Sequence, residues 1–162
     1  LSRKFLNLAK TSCTLNGYPI NKGDFISADF FQAVGRLKSA KTLFDCVILD
    51  PPFFSSTNAG KVDLLRESHR LINKVRPLIA HDGWLVAINN ALFLKGTDYM
   101  HTLEALCADG YMRIEKIIPV EADITGFPAT RTRELPTDPH PFNHSTKIAV
   151  LRVKRKDTAI HS

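Results

Sequence analysis

The residues best suited to chemistry follow one short apolar run, where an acid precedes two prolines and two aromatic residues. They are Asp50, Pro51, Pro52, Phe53 and Phe54. The run before them, Cys46 to Leu49, has no polar alternation and predicts a strand buried on both faces, typical of a parallel sheet. Because proline cannot donate to a strand ladder, this strand must stop at Asp50. Open α/β sheets bind ligands at the carboxyl ends of their strands, so we expect a stiff ligand-facing turn here.

A plainer interpretation of the same stretch needs no ligand. A buried strand can simply end in a Pro-Pro turn, with the Asp50 carboxylate capping a following helix. Neither interpretation is excluded by the motif alone, because a four-residue pattern is only moderately specific.

Length and composition indicate one basic globular domain. The chain has 162 residues, a net charge of +6 and a pI near 9.4, which favours either a polyanionic partner or a mildly basic soluble protein. No apolar run is long enough to cross a bilayer, and we expect no secretory signal. The three cysteines are far apart and predict reduced cytosolic thiols, two of them in the core.

The hydrophobic pattern predicts alternating helices and strands that end in an antiparallel pair. Helices are expected over residues 1–16, 29–37, 62–79 and 97–108. Strands are expected over 24–29, 44–49, 84–89, 111–120 and 146–153. A polar loop at 55–60, a Pro-rich stretch at 121–144 without periodicity and a frayed basic tail complete the chain.

The run Asp50-Pro51-Pro52-Phe53 resembles the (D/N)-P-P-(Y/F/W) signature of class I S-adenosylmethionine-dependent methyltransferases that modify base nitrogens. The resemblance implies that these four residues are catalytic. The acid and the first proline carbonyl would accept hydrogen bonds from the target amino group, and the aromatic ring would stack on the flipped base. Such acceptors are needed because the lone pair of an aryl amine is delocalised into its ring.

The element order extends the likeness over nearly the whole chain. The fold class it implies is α/β, a Rossmann-like class I methyltransferase sheet with a terminal antiparallel hairpin. The pattern is most similar to bacterial 23S ribosomal RNA methyltransferases of the cytosine-C5 and guanine-N2 kind. Residues 1–156 would then form one partial catalytic domain and residues 157–162 a tail.

S-adenosylmethionine is the cofactor that this resemblance implies. It assigns cofactor contacts to Asp29 at the adenine amino group, Phe30 on the adenine ring, Asp50 and Asn89. Asp29 also suits an N-cap, Phe30 a core position, and Asn89 a cap at the end of its strand.

The chain departs from the family where the cofactor's methionine and ribose are held. The G-x-G loop and the acidic residue that binds the ribose are absent. We therefore expect the carboxyl-terminal part of a longer enzyme, in which losing two strands leaves the next without a neighbour. The remaining strands would close up, a missing N-terminal segment or a second copy would complete the sheet, or the fold would be unstable alone.

Ribosomal RNA is the expected partner, and further residues are candidates to bind it. These are Phe53, Phe54, Asn90, Arg131, Arg133 and Phe142. Cations beside aromatics suit looped RNA, although a plain loop would have the same composition. The basic tail from Arg152 to Lys156 can touch phosphates or simply be solvated. No metal site is expected, because Pro139 and Pro141 prevent His140 and His144 from sharing a helix face.

Methylation of nitrogen is expected rather than carbon. Cytosine-C5 chemistry needs a thiolate, and Cys46 would lie ~13 Å from Asp50 at a strand rise of ~3.3 Å per residue. Two alternatives stay open: a fragment without activity that binds RNA or a partner, and a methyltransferase for small molecules or proteins.

Overall fold

The computed structural model describes residues 3–52, 54–57, 60–125 and 134–156. Its helices are α1 (Arg3–Leu15), α2 (Phe30–Ser39), α3 (Leu64–Val75), α4 (Gly96–Cys107) and α5 (Ala122–Thr125). Its strands are β1 (Phe44–Leu49), β2 (Phe54–Thr57), β3 (Gly60–Asp63), β4 (Ile79–Asn89), β5 (Met112–Ile118) and β6 (Lys147–Val153). Two short 3-10 helices cover Lys22–Asp24 and Arg76–Leu78.

Four strands form the main sheet in the order β1-β4-β6-β5. β1 and β4 are parallel, whereas β6 runs antiparallel to both β4 and β5. The carboxyl ends of β1, β4 and β5 and the first residue of β6 therefore lie at the same end of the sheet, which we call the carboxyl edge. The predicted α/β alternation and the closing antiparallel pair are both confirmed.

One face of this sheet is buried under helices. Every second residue is buried from Gly83 to the end of β4 and along the whole of β6. α3 contacts β4, α4 contacts β5, and α3 lies between α2 and α4. The largest fully buried apolar side chains of this core are Tyr99, Ile72, Ile79, Leu85, Leu103, Leu151 and Val153.

β1 is an edge strand, and the expectation that it would be buried on both faces is wrong. Within the described residues it pairs only with β4. Leu49 is buried, but Ile48 is 68% exposed and Phe44 is 38% exposed. An apolar run therefore predicted the strand correctly but not its surroundings, because burial on both faces requires a layer packed on each face of the sheet.

The strand expected over residues 24–29 is also wrong. The segment holds the end of a 3-10 helix and then an irregular chain leading to α2. A strand needs a partner for its backbone groups, and the described sheet has none to offer beyond β1. α1, which precedes it, has no buried residue.

Three local predictions change in detail. Ser55 to Thr57 and Gly60, expected to be in a loop, belong to the antiparallel pair of β2 and β3, and the helix after it begins at Leu64. The strand expected over 84–89 already begins at Ile79 and contains a bulge, because Phe44 pairs with Ile79 whereas Cys46 pairs with Trp84. No cysteine is buried, so the expectation of two core thiols is wrong.

Among the described residues no helix is long and apolar enough to cross a membrane.

Candidate functional site at the carboxyl edge of the sheet

Asp50 lies at the carboxyl edge, one residue beyond the pairing of Leu49 with Ala87. Its side chain is exposed, as is Pro52, while Pro51 is half-buried. The next element is β2 rather than a helix, so Asp50 caps no helix. Within the described part of the chain no donor contacts its carboxylate. Asp50 is thus available to a ligand, as the motif predicts.

A cleft of about 600 Å³ connects Asp50 to the segment before α2. Asp29 and Phe30 line it at one side, and Asp50, Pro51 and Pro52 line it at another. Apolar side chains form the rest of its wall, among them Ile26, Val34, Leu37, Val47, Ile48 and Leu71. The structure therefore brings two groups of candidate residues, about 20 positions apart in sequence, to one cavity.

Asp29 is the N-cap of α2. Its Oδ1 accepts hydrogen bonds from the backbone amides of Phe31 at 2.9 Å and Gln32 at 3.4 Å. Both bonds use the same oxygen, so Oδ2 accepts none from the described residues. Capping and ligand binding are compatible at this residue, because each uses a different oxygen.

Phe30 is half-buried at the wall of the cleft. Its ring meets Phe31 edge to face, with centroids 5.1 Å apart and planes at 80°. The Arg70 guanidinium in turn lies 5.1 Å from the Phe31 ring centroid. This contact holds the Phe30 ring, part of which lines the cleft.

The residues present suit the adenine base of S-adenosylmethionine but not its methionine end. The cleft offers an acceptor at Asp29 and an aromatic wall at Phe30, which match the amino group and ring of adenine. No described segment supplies a glycine-rich turn with amides pointing into this cleft, as the methionine end of S-adenosylmethionine would require.

Asn89 and Asn90 end β4 beside the Asp50 turn, but they differ in their surroundings. Asn89 is 1% exposed, and its Oδ1 accepts the Ala91 amide at 2.9 Å. It therefore performs the strand-end capping that was the alternative to cofactor binding. Asn90 is half-buried, and its Oδ1 is buried without a hydrogen-bond partner among the described residues.

Lys147, the first residue of β6, lies at the carboxyl edge in a buried position that the sequence did not indicate. It is fully buried, and its Nζ donates to the carbonyls of Ser145 at 2.7 Å and Ala91 at 2.9 Å. Burial lowers the pKa of this amine to about 8. The Ser145 hydroxyl beside it is also buried and has no partner in the described structure.

The segment 134–146 crosses the carboxyl edge as an ordered loop. Asn143 exchanges two hydrogen bonds with the backbone of Val120, and the amide of Gly96 donates to the Asp138 carbonyl at 3.0 Å. Phe142 is 5% exposed and lies against Tyr99, with ring centroids 5.7 Å apart. The prediction that Phe142 contacts substrate is therefore wrong, because a core ring cannot stack on a base.

Some predicted residues lie outside the described structure. Phe53, Arg131 and Arg133 are among them, and so is the side chain of Phe54, whose backbone pairs with Asp63. Their assignment to substrate binding or catalysis stays a prediction.

Two exposed apolar residues at the carboxyl edge were missed. Leu92 is 47% exposed and Phe93 is 66% exposed, in the turn between Asn90 and α4. Sequence reasoning passed over them because Ala-Leu-Phe-Leu after a strand looks like a continuing core.

The basic tail lies at the opposite end of the sheet from Asp50. Arg152 stacks over Trp84 at 4.1 Å, and Lys156 lies 3.5 Å from the Asp109 carboxylate. Arg155 donates to the Pro77 carbonyl at 3.1 Å. The expectation of a frayed tail is thus wrong up to Lys156.

His144 uses its Nδ1 to accept the Thr146 amide at 3.1 Å, within its own loop.

The chain is similar in sequence to ribosomal RNA methyltransferases, although no protein-family model matches it. It is 33% identical over 92 residues to the ribosomal RNA large subunit methyltransferase K of Neisseria meningitidis, covering 56% of this chain and 26% of that protein. It is 34% identical over 94 residues to the ribosomal RNA large subunit methyltransferase K/L of Psychrobacter arcticus, covering 56% of this chain and 12% of that protein. It is 28% identical over 102 residues to the ribosomal RNA large subunit methyltransferase I of Photobacterium profundum, covering 59% of this chain and 25% of that protein. The matched region thus represents about a quarter or less of each relative.

Solved structures show the same fold. SMU.776, assigned as a methyltransferase and solved in complex with S-adenosylhomocysteine, superposes with a TM-score of 0.75 at 15% identity. The superposition covers 94% of this chain and 37% of that one. Another structure, of a Streptococcus mutans protein assigned as an S-adenosylmethionine-dependent methyltransferase, gives a TM-score of 0.58 at 14% identity. This superposition covers 78% of this chain and 30% of the other. The class I methyltransferase fold expected from the sequence is therefore confirmed.

Proposed function

We propose that this chain contains the catalytic, substrate-facing part of an S-adenosylmethionine-dependent methyltransferase that modifies a base nitrogen of ribosomal RNA. The observation that carries the proposal is the shared cleft of Asp29, Phe30, Asp50 and Pro51. If Asp29 and Phe30 hold the adenine and the Asp50 turn holds the target amine, both reactants meet in one cavity, as methyl transfer between a cofactor and a base requires. Similarity to ribosomal RNA methyltransferases over more than half of the chain supports the substrate class.

In this proposal the protein positions its reactants more than it activates them. The bound cofactor supplies a sulfonium methyl group that is already electrophilic. The Asp50 carboxylate and the Pro51 backbone are placed to accept hydrogen bonds from the target amino group and fix its direction. Two prolines restrict the backbone of this turn, so little reorganisation is needed when the base arrives.

Nitrogen remains the preferred target over carbon. Cys46 borders the same cleft, but it lies four residues before Asp50 on β1, or ~13 Å along an extended strand. That separation places its thiol far from a base held at the Asp50 turn, so addition of the thiolate to a pyrimidine carbon is not favoured.

The exposed edge of β1 supports a further part of the proposal. Ile48 and Phe44 are exposed apolar residues on a strand whose backbone has one unpaired side in the described structure. A parallel strand that brings a glycine-rich loop to the cleft would pair there and complete the cofactor site. We propose that another segment of the same polypeptide, or another chain that has such a loop, supplies it.

Calorimetric titration with S-adenosylhomocysteine tests this function, and one matched variant localises the site. Asparagine caps helices as well as aspartate does, so Asp29→Asn keeps the bonds to Phe31 and Gln32. With Oδ1 engaged in the cap, the variant places an amide donor where Oδ2 was, facing the adenine amino group. With the segment that carries the glycine-rich loop present, micromolar binding by the wild type and at least tenfold weaker binding by the variant are expected.

Other outcomes of the titration separate the candidate functions. Equal affinity of the two proteins would contradict the placement of adenine at Asp29. Absence of cofactor binding by the folded protein with that segment present, while RNA is still bound, would favour the second candidate, a binding module without methyl-transfer activity. Binding without transfer to ribosomal RNA, but with transfer to a small amine or a protein, would contradict the substrate class.

A further inference from the structure

The turn from Ala91 to Lys95 is firmly anchored at both of its ends. The Ala91 amide donates to Asn89 Oδ1 at 2.9 Å, and its carbonyl accepts from Lys147 Nζ at 2.9 Å. Leu94 packs against the core, and its amide donates back to the Ala91 carbonyl at 3.3 Å. The turn is therefore held by buried contacts before and after its tip.

Leu92 and Phe93 form the tip of this anchored turn and are presented to solvent. Ala91 next to them is fully buried, while Phe93 is 66% exposed. A loose loop could fold such side chains inward, but the fixed ends hold these two outward. Binding residues are often carried on loops that a rigid scaffold positions, as the buried contacts position this turn.

The position of the tip suggests what it binds. It follows the end of β4, the strand paired with β1, so it lies at the same carboxyl edge as Asp50. Asn90 precedes it with a buried Oδ1 that has no partner in the described structure, and the exposed Lys95 follows it. The whole chain carries a net charge of +6, which favours a polyanion such as RNA over a protein partner that has no acidic surface.

We propose that Phe93, with Leu92 beside it, is a stacking platform for an unpaired base of single-stranded RNA next to the target nucleotide. The proposal rests on the proposed function for the identity of the substrate. An aromatic ring can stack on any base, so it would hold the strand without selecting its sequence. Lys147 acts in this arrangement as a positioning residue, because it fixes the Ala91 carbonyl from which the tip projects.

Fluorescence anisotropy with a short labelled single-stranded RNA tests the proposal on the protein and three variants. Phe93→Ala removes the ring, Phe93→Leu keeps apolar bulk without a ring, and Phe93→Trp restores a ring. Phe5→Ala is the matched control, because Phe5 on α1 is 63% exposed and lies in another part of the fold. We expect about tenfold weaker binding for Phe93→Ala and Phe93→Leu, and near wild-type binding for Phe93→Trp and Phe5→Ala.

An abasic version of the same RNA distinguishes stacking from phosphate contact. If Phe93 stacks on a base, the wild type and Phe93→Ala bind the abasic strand equally. Binding of normal RNA by Phe93→Ala within twofold of the wild type would overturn the proposal. So would a Leu variant as tight as the Trp variant, or self-association of the chain that depends on Phe93 while RNA binding does not.

The RNA titration needs no cofactor, so its result is independent of the titration with S-adenosylhomocysteine. Loss of RNA affinity on removal of the Phe93 ring would stand even if no methyl transfer were found. Conversely, methyl transfer that is insensitive to Phe93 would contradict the platform and leave the proposed function intact.

Discussion

Lys147 Nζ donates to the Ala91 carbonyl across the junction of β4 and β6, at the point where Asn89 pairs with Lys147 in the sheet. The same amine donates to the Ser145 carbonyl. One buried side chain thus joins the turn after β4 to the loop before β6. A neutral amine has two N–H donors, so both carbonyls can remain bonded whether the group is charged or not.

The pKa of Lys147 predicts how stability changes with pH. Burial lowers this pKa to about 8, below the ~10.4 of an ordinary lysine. Between these values the unfolded chain binds more protons than the native one, so the free energy of unfolding rises as pH increases from about 8 to about 10. The gain should reach up to ~3 kcal/mol at 1.36 kcal/mol per pKa unit.

Urea unfolding of the wild type and Lys147→Met at about pH 7 and about pH 10 measures this effect. The methionine variant lacks the titrating group. The unfolding free energy of the wild type minus that of the variant should therefore increase with pH. A difference that stays constant would show that Lys147 does not titrate in this range.

Removal of the Asp50 carboxylate should abolish methyl transfer while the fold persists. The side chain is exposed and contacts no donor in the described structure, so Asp50→Ala should change the unfolding free energy by less than ~0.5 kcal/mol. Transfer to ribosomal RNA should fall about a hundredfold or more, since the target amine loses its orientation. Asp45→Ala, at an exposed aspartate of the same strand, is the control and should retain activity. Turnover of the Asp50 variant near the wild-type rate would remove it from the mechanism.

The two asparagines at the end of β4 should respond oppositely. Asn89→Ala leaves the buried Ala91 amide without its acceptor and should cost ~1–3 kcal/mol of stability. Asn90→Ala removes a buried oxygen that has no partner in the described residues, so stability should be unchanged or slightly higher. If Asn90 contacts the base, transfer should nevertheless decrease in that variant. Thermal unfolding with parallel activity assays compares them, and equal destabilisation by both would contradict this distinction.

Gly96 has a steric requirement that Gly35 lacks. A Cβ at Gly96 would overlap the Pro139 and His140 carbonyls of the loop that crosses the carboxyl edge. Gly96→Ala should therefore destabilise the protein by about 3 kcal/mol, and it should displace the loop. Gly35 in α2 has open space around it, so Gly35→Ala should stabilise by ~0.5–1 kcal/mol through helix propensity. Denaturant midpoints of the two variants on opposite sides of the wild type would confirm the prediction, and midpoints shifted alike would refute it.

Sequence patterns predicted the parts of this fold that depend on local chemistry. Apolar periodicity located β4 and β6, and the proline pair located the end of β1. The D-P-P-F motif led to the Asp50 turn, and the acid before α2 led to the cleft. Each of these signals is carried by neighbouring residues, so no knowledge of tertiary contacts was needed.

The failed predictions concern properties that are set by distant residues. Cys46 and Ile48 are apolar and still exposed, because burial of β1 depends on what packs against each face of the sheet, which its own residues do not reveal. Phe142 looked like an aromatic in an RNA-binding loop, but Tyr99 from α4 draws it into the core. The burial of Lys147 was equally hidden, because its partners are backbone carbonyls, which carry no sequence signature.

The open side of β1 has a consequence for the accuracy of any complete active site. Asp50 is continuous with β1, so whichever strand pairs with that side sets how far its own loop lies from the carboxylate. A slip of one residue would move that loop by ~3.3 Å and turn its side chains to the opposite face, and a slip of two would move it by ~7 Å. The alignment of methyl donor and acceptor would then be determined by strand register, in discrete steps far larger than the length of a hydrogen bond.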